Sequence, residues 1–312
     1  RQRQMCIRDR TCLLPGLPAL AHPIIINAIT GGADAVAKIN ESLAIVARET
    51  GSAMAVGSQF GTVRTGLHRD SYTIVRKCNP KGLIFANLSA FASVEQAKAA
   101  IDMISADALQ IHLNPAQELA MEEGDRDFSN CLSHIEAMVQ GVGVPVIVKE
   151  TGCGMAKKEA QDLLDVGVTL LDIGGAGGTN FPAIEHQRYP EGNEELSEWG
   201  IPTVLSLLSV VQTVGWGNGV IASGGIRSAL DVVKAQVLGA SAVAMAGNLL
   251  QKIQQEGTEE TIHFLQRLLN KVLDFYTLLG CRTFRDLHEA RYYLTGETAQ
   301  AVSWLRKYDQ ND

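Results

Sequence analysis

The sequence predicts an α/β protein built as a single (β/α)8 TIM barrel with additional C-terminal helices, and three observations predict it. Short runs rich in β-branched or small apolar residues recur eight times between longer stretches of helical period, the pattern of βα units around a parallel sheet. Each run ends in polar or glycine-rich sequence, and the C-terminal ends of barrel strands are where this fold places its chemistry. A chain of 312 residues with 46% hydrophobic content fills one such barrel without a second domain. A doubly wound sheet is the structural alternative. The regular spacing of the units and the lack of a GxGxxG after the first run argue against it.

Taken in order, strands are expected over residues 24–29, 53–57, 83–87, 108–112, 145–149, 170–173, 220–222 and 242–246. Between them lie helical segments such as residues 34–49, 94–104, 157–165 and 228–238. The strand endings are Thr30-Gly31-Gly32, Ser58-Gln59, Asn87, His112-Leu113-Asn114, Lys149-Glu150, Gly174 to Thr179, Ser223 to Arg227, and Ala246-Gly247-Asn248. After the eighth unit, residues 257–279 read as a long amphipathic helix and 282–291 continue in helical character; residues 308–312 are polar and expected to fray. The first 22 residues differ. Four arginines and no apolar period mark residues 1–10, and a loose apolar stretch with two prolines follows, so 1–22 is expected to be atypical, non-native or disordered, ahead of a barrel domain over 23–312.

Composition narrows the partners. Lys and Arg number 27 against 34 Asp and Glu, for a net charge of −7, with the basic residues scattered, so neither nucleic acid nor a membrane surface is the expected partner. The six cysteines show no CxxC pair, zinc spacing or dense disulfide pattern, and no uncharged apolar run reaches bilayer-spanning length; a cytoplasmic protein is expected.

Two glycine-bearing turns, Ser223-Gly224-Gly225-Ile226-Arg227 and Ala246-Gly247, follow the seventh and eighth strands. There, barrel enzymes commonly build a phosphate site from bare backbone N–H groups and a helix N-terminus. The run Gly174-Gly175-Ala176-Gly177-Gly178-Thr179 is too glycine-dense for an ordinary connection, and close backbone approach to a ligand would justify it, with the Thr179 hydroxyl added to the same phosphate. Lys149 closes an apolar strand and points inward, suited to a Schiff base, a general base, or a cation set against a flavin's electron-rich edge. Thr30, Ser58 and Asn87 close the first three strands with short hydrogen-bonding side chains, which suit a heterocycle's edge or cap the following helices. His112, Asn114, Gln117 and Glu118 cluster after the fourth strand, where Glu118 offers a hard carboxylate for Mg²⁺.

These residues resemble one family, the type 2 isopentenyl-diphosphate Δ-isomerases, which are FMN-dependent barrel enzymes. The matching segments run from Pro23 to Asn248: Ile26 to Gly32, Gly57-Ser58-Gln59, Phe85-Ala86-Asn87-Leu88, Gln110 to Glu118, Val148-Lys149-Glu150, Gly177-Gly178-Thr179 with Ile184-Glu185, Gly224 to Arg227, and Ala246-Gly247. The resemblance implies that FMN is contacted by Ile29, Thr30, Gly31, Ser58, Asn87, Lys149 and Thr179, with its phosphate on Gly225, Ile226, Arg227, Ala246 and Gly247. It implies substrate contacts from Ser58, Gln59, His112, Asn114 and Gln117, and Mg²⁺ on Glu118. It further implies NADPH as reductant, a homotetramer or larger ring, and isomerisation between isopentenyl and dimethylallyl diphosphate with reduced FMN as the acid–base group. Two departures stand out. Family members open with Arg-Lys-x-x-His on the diphosphate, which Arg1 to Arg10 do not match, and Phe60 stands where a basic residue or methionine is frequent.

Two other functions compete. A flavin oxidoreductase would need a His-Arg pair late in the barrel, and no late histidine falls at a strand end. A flavin-binding protein without turnover would follow from loss of the N-terminal motif.

Overall fold

The computed structural model describes residues 14–308. Eight parallel strands close into a barrel in sequence order: β1 (Ile24–Ile26), β2 (Ala53–Ala55), β3 (Ile84–Ser89), β4 (Ala108–Leu113), β5 (Val146–Glu150), β6 (Leu170–Asp172), β7 (Val220–Ala222) and β8 (Ala242–Met245). Closure is made by β1 against β8, with Ile24 beside Val243 and Ile25 beside Ala244. The expected eight strands are present, and the doubly wound alternative is excluded.

Side chains alternate across each strand, so one face fills the barrel and the other meets the helices. The interior holds Ile25, Ala53, Ala55, Phe85, Ala108, Ile147, Leu170, Ile221, Ala242 and Ala244. The larger cluster lies between strands and helices, where Ile24, Met54, Ile84, Leu109, Val148 and Leu171 are buried. Runs apolar on both faces are what a sheet covered on both sides requires.

The surrounding helices are α1 (Ala37–Thr50), α2 (Phe60–Thr65), α3 (Asp70–Cys78), α4 (Val94–Ile104), α5 (Pro115–Ala120), α6 (Cys131–Gly141), α7 (Lys157–Asp165), α8 (Phe181–Arg188), α9 (Thr203–Val214), α10 (Ala229–Val237), α11 (Gly247–Leu278) and α12 (Gly296–Tyr308). Several boundaries follow from capping. Ser93 and Gln96 form a capping box that starts α4 where the sequence placed it, and Ser228 with Asp231 does the same for α10. The expected β1 and β2 ran long, whereas β3, β4 and β5 extend one or two residues past their expected ends. β1 stops at Ile26 because the Asn27 side chain takes up the Ala28 N–H at 2.9 Å, turning the chain out of the ladder.

Three differences concern the ends of the chain. The helix expected over 257–279 is present to Leu278 and starts at a break, Gly257, whose backbone (φ 85°, ψ 178°) is not helical; the helical stretch of α11 from Gly247 up to that kink was not foreseen. Residues 282–291 hold only a 3-10 segment, Phe284–Glu289, started by a Thr283/Asp286 capping box, while α12 was not foreseen. At the other end, residues 14–22 lie against the barrel base. Leu14 and Leu20 are 2% exposed and join the interior cluster, Gly16 lies beside the Pro145 ring and Pro15 beside Gly219. The expectations for residues 1–13 and 309–312 fall outside the described residues. Among the described residues no helix is long and apolar enough to cross a membrane.

Candidate active site

Continuing each strand's inward alternation one step past the apolar interior gives a polar layer across the barrel mouth. Above Ile25, Phe85, Ala108, Ile147, Leu170 and Ile221 come Asn27, Asn87, Gln110, Lys149, Asp172 and Ser223, all buried. Asn27 Nδ2 donates to Asp172 Oδ2 at 2.7 Å, Gln110 Nε2 to Asn27 Oδ1 at 3.2 Å, and Asn87 Nδ2 to Gln110 Oε1 at 3.4 Å. The Ser223 hydroxyl donates to Asp172 Oδ1, which also accepts from the Gly174 N–H at 3.3 Å. Sequence reasoning singled out Asn87 and Lys149 of this layer and missed Asn27, Gln110, Asp172 and Ser223 as site residues. The signal that would have found them is the period of two carried past the last apolar residue.

Above one side of this floor opens a cavity of ≈ 400 Å³, lined by Lys149, Gly174, Gly175, Thr179, Gly225, Ile226, Arg227, Ala246 and Gly247 among others. The two glycine loops form its wall by packing backbone on backbone. A Cβ on Gly224 would stand 2.0 Å from the Gly175 carbonyl oxygen and one on Gly225 2.3 Å from that of Gly177; both glycines have positive φ, at 100° and 84°. Much of the glycine density after β6 therefore serves loop-on-loop contact rather than ligand approach alone. The far wall is the start of α11, where Ala246, Gly247 and Asn248 line the cavity and no side-chain bond caps the first turn. The Arg227 N–H is already taken by Asp231 Oδ2 at 3.1 Å, so any part Arg227 has in holding an anion falls to its exposed side chain.

Lys149 is buried, its Nζ donates to the Glu150 carbonyl at 3.0 Å, and it is paired in register with Asp172 on β6. Burial lowers its pKa, and the charges of Asp172 and Glu150 oppose that. Glu150 is pushed up to about 7, chiefly by burial, against the hydrogen bonds its Oε2 accepts from the Gly152 N–H at 2.7 Å and the Cys153 N–H at 2.5 Å.

On the β1 and β2 side, the Thr30 hydroxyl donates to Asn40 Oδ1 at 2.8 Å, and the Ser58 carbonyl accepts from the Tyr72 hydroxyl of α3, whose ring fills the space beside Gly31. Ile29 and Gly31 are half-buried in this loop and Ser58 is exposed. Gln59 is placed otherwise than the sequence suggested. Fully buried, it donates to the Ala100 carbonyl at 3.0 Å and accepts from the Asn87 N–H at 3.1 Å, which fits it to brace β3 from the helix side rather than to meet a ligand.

The opposite rim carries the fourth-strand cluster. His112 Nδ1 meets Asn87 Oδ1 at 2.7 Å, and burial together with Lys149 pulls the His112 pKa down to about 3. Asn114 Nδ2 donates to Glu118 Oε1 at 2.8 Å, and Glu118 Oε2 accepts from the Asp125 N–H at 3.0 Å. Gln117 Nε2 donates to Glu185 Oε1 at 3.0 Å; Glu185 is buried on α8 and its other oxygen accepts from Arg188 at 2.6 Å. Glu185 belonged to a matching segment yet was not chosen as a site residue, because only the fold brings α8 against α5. Among the described residues no group of three or more His, Cys, Asp and Glu is placed to hold a metal.

The barrel carries a glycine-walled cavity beside a buried lysine, and the family described as FMN-dependent dehydrogenase matches residues 64–294. The chain is 46% identical over 288 residues to the isopentenyl-diphosphate delta-isomerase of Bacillus licheniformis, covering 92% of this chain and 81% of that protein. It is 47% identical over 281 residues to that of Geobacillus sp., and 40% identical over 306 residues to that of Staphylococcus aureus, covering 90% and 97% of this chain and 80% and 86% of those proteins. The chain belongs to the FMN-dependent, type 2 isopentenyl-diphosphate delta-isomerase family. Among solved structures, mandelate oxidase with (S)-2-phenylpropionate superposes with a TM-score of 0.68 at 17% identity, covering 94% of this chain and 84% of that one, a likeness of fold alone.

Proposed function

We propose that this protein interconverts isopentenyl and dimethylallyl diphosphate in isoprenoid biosynthesis, holding FMN at the barrel mouth and the diphosphate at the rim formed by β4, α5 and α8. The observation that carries the reading is the pairing of two sites on one floor: the glycine-walled cavity beside Lys149, and the rim of His112, Gln117, Glu118 and Glu185. The cavity suits FMN, since its walls exclude any Cβ at Gly224 and Gly225 and the N-terminal turn of α11 is shaped for a phosphate. Gly225, Ile226, Ala246, Gly247 and Thr179 would hold that phosphate, with the Arg227 side chain beside it. Ile29, Thr30, Gly31, Ser58, Asn87 and Lys149 would border the ring.

Held and reduced there, FMN would supply an electron-rich ring able to exchange a proton and to stabilise positive charge nearby. Lys149 places a cation within the cavity wall, where its field is least screened. His112, Asn114 and Gln117 line the substrate side, with Ser58 facing it from β2. Among the described residues Glu118 is the rim carboxylate not paired with a cation, Glu185 being held by Gln117 and Arg188, so a Mg²⁺ on Glu118 would take its remaining ligands from diphosphate oxygens and water. NADPH is the reductant we assign. We place the enzyme in the cytoplasm, as a homotetramer or larger ring.

The test is direct. Purified protein should be yellow, and under anaerobic reduction with Mg²⁺ it should convert isopentenyl diphosphate to dimethylallyl diphosphate. Conversion by flavin-free protein would overturn the reading, and stoichiometric FMN without substrate binding would favour a flavoprotein that lacks turnover.

A further inference from the structure

Five polar residues at the barrel mouth form one hydrogen-bonded line: His112 on β4, Asn87 on β3, Gln110 on β4, Asn27 after β1 and Asp172 on β6. Three of the five residues are amides, whose ends can be reversed in principle, so the direction of the line is set by whichever end is anchored. One anchor does not reverse. The Ala28 N–H is a donor only, and it meets Asn27 at 2.9 Å, so the atom it meets is the oxygen Oδ1. The remaining end of Asn27 is then Nδ2, and it donates to the Asp172 carboxylate at 2.7 Å, as a carboxylate acceptor requires.

Each next link follows. Asn27 Oδ1 accepts, so Gln110 presents Nε2 to it at 3.2 Å and keeps Oε1 for its other neighbour. Asn87 therefore presents Nδ2 to Gln110 at 3.4 Å and keeps Oδ1 for His112. An oxygen 2.7 Å from His112 Nδ1 requires the proton on Nδ1. A neutral imidazole carries one N–H, so Nε2 is left with a lone pair, and no partner meets it among the described residues.

We infer that Asn87, Gln110, Asn27 and Asp172 are positioning residues that hold His112 as the Nδ1–H tautomer, so that Nε2 offers a lone pair, not a proton, to whatever enters the barrel mouth. Neutrality of the ring has its own basis, since burial and the neighbouring Lys149 ammonium both disfavour imidazolium. His112 is then complementary to a ligand group that donates, such as a water, an N–H or a protonated phosphate oxygen, and is mismatched to a bare anionic oxygen. The inference rests on the isomerase reading only in taking the ligand there to be a diphosphate. The tautomer itself is a property of the protein.

Histidine side chains labelled with ¹⁵N in the flavin-loaded protein report it by NMR, because a protonated ring nitrogen and a lone-pair nitrogen give well-separated shifts. Loss of one signal pair in His112→Asn assigns the residue among the seven histidines. The wild type is expected to show pyrrole-like Nδ1 and pyridine-like Nε2. Gln110→Leu cuts the line in its middle and should shift the tautomer ratio toward Nε2–H by roughly tenfold, about the worth of one hydrogen bond. Asn87→Asp keeps an acceptor on Nδ1 and should retain the wild-type tautomer, where Asn87→Leu loses it. Asp172→Asn leaves the Ala28 N–H on Asn27 Oδ1, so the line should keep its direction and His112 its tautomer; if Gln110→Leu does not fold, the two Asn87 variants still decide. An Nε2–H signal in the wild type overturns the assignment, and an unchanged tautomer in Gln110→Leu overturns the relay. Neither outcome depends on turnover, so a failed isomerase assay leaves this test intact.

Discussion

Glu150 shows how much a single buried carboxylate does here. Its Oε2 gathers the Gly152 and Cys153 N–H groups and so shapes the turn after β5, while burial raises its pKa from 4.5 to about 7. The native state therefore binds this proton more tightly than the unfolded chain. The stability linked to it is fully present below about pH 4.5 and is lost as pH rises through about 7, a change of roughly 3 kcal/mol. Glu150→Gln keeps an amide oxygen for both N–H groups and removes the titration. Melting temperatures of wild type and variant should thus diverge between pH 5 and 8, the variant losing less; parallel curves would show that Glu150 does not titrate there. On the β2 side, Tyr72→Phe deletes the hydroxyl donated to the Ser58 carbonyl and should cost about 1 kcal/mol in urea unfolding, with weaker flavin retention from the loosened loop.

At the level of elements, the loops after β6 and β7 act as one piece. Gly224→Ala puts a methyl 2.0 Å from the Gly175 carbonyl oxygen at a backbone φ of 100°, so the two loops must separate. We expect FMN to be lost on desalting, with affinity reduced at least about tenfold, a change near 1.4 kcal/mol. Flavin absorbance after gel filtration reads it. The barrel itself should persist, because its interior cluster lies below these loops, and an unchanged far-ultraviolet circular dichroism spectrum would separate loss of the site from loss of the fold. Helices α4, α7 and α10 were legible because they start on local chemistry, with Ser93, Ala156 with Glu159, and Ser228 at their N-caps. The stretch of α11 from Gly247 was not, since Gly247 reads as a strand ending, whereas the break at Gly257 was legible and its backbone is not helical.

For the whole molecule, the base of the barrel is closed by residues 14–20, whose Leu14 and Leu20 complete the interior cluster. Leu20→Ala should cost about 2–5 kcal/mol, as for other fully buried leucines, measured by urea unfolding of the flavin-loaded protein. A loss under 1 kcal/mol would mean that the base tolerates an opening.

The sequence by itself determined the barrel, because alternation of β-branched runs with helical segments is local and repeats eight times around one closed sheet. It also determined which glycine turns and which lysine line the cavity at the barrel mouth, because these residue types sit at strand ends where this fold collects its ligands. Only the tertiary structure decided that Gln59 turns away from the mouth, that Glu185 comes to Gln117, that residues 14–20 seal the base, and which way the amide line runs from His112 to Asp172. Each of these joins groups far apart in the chain, and hydrogen-bond direction is set by the partner found, not by the residue that seeks it.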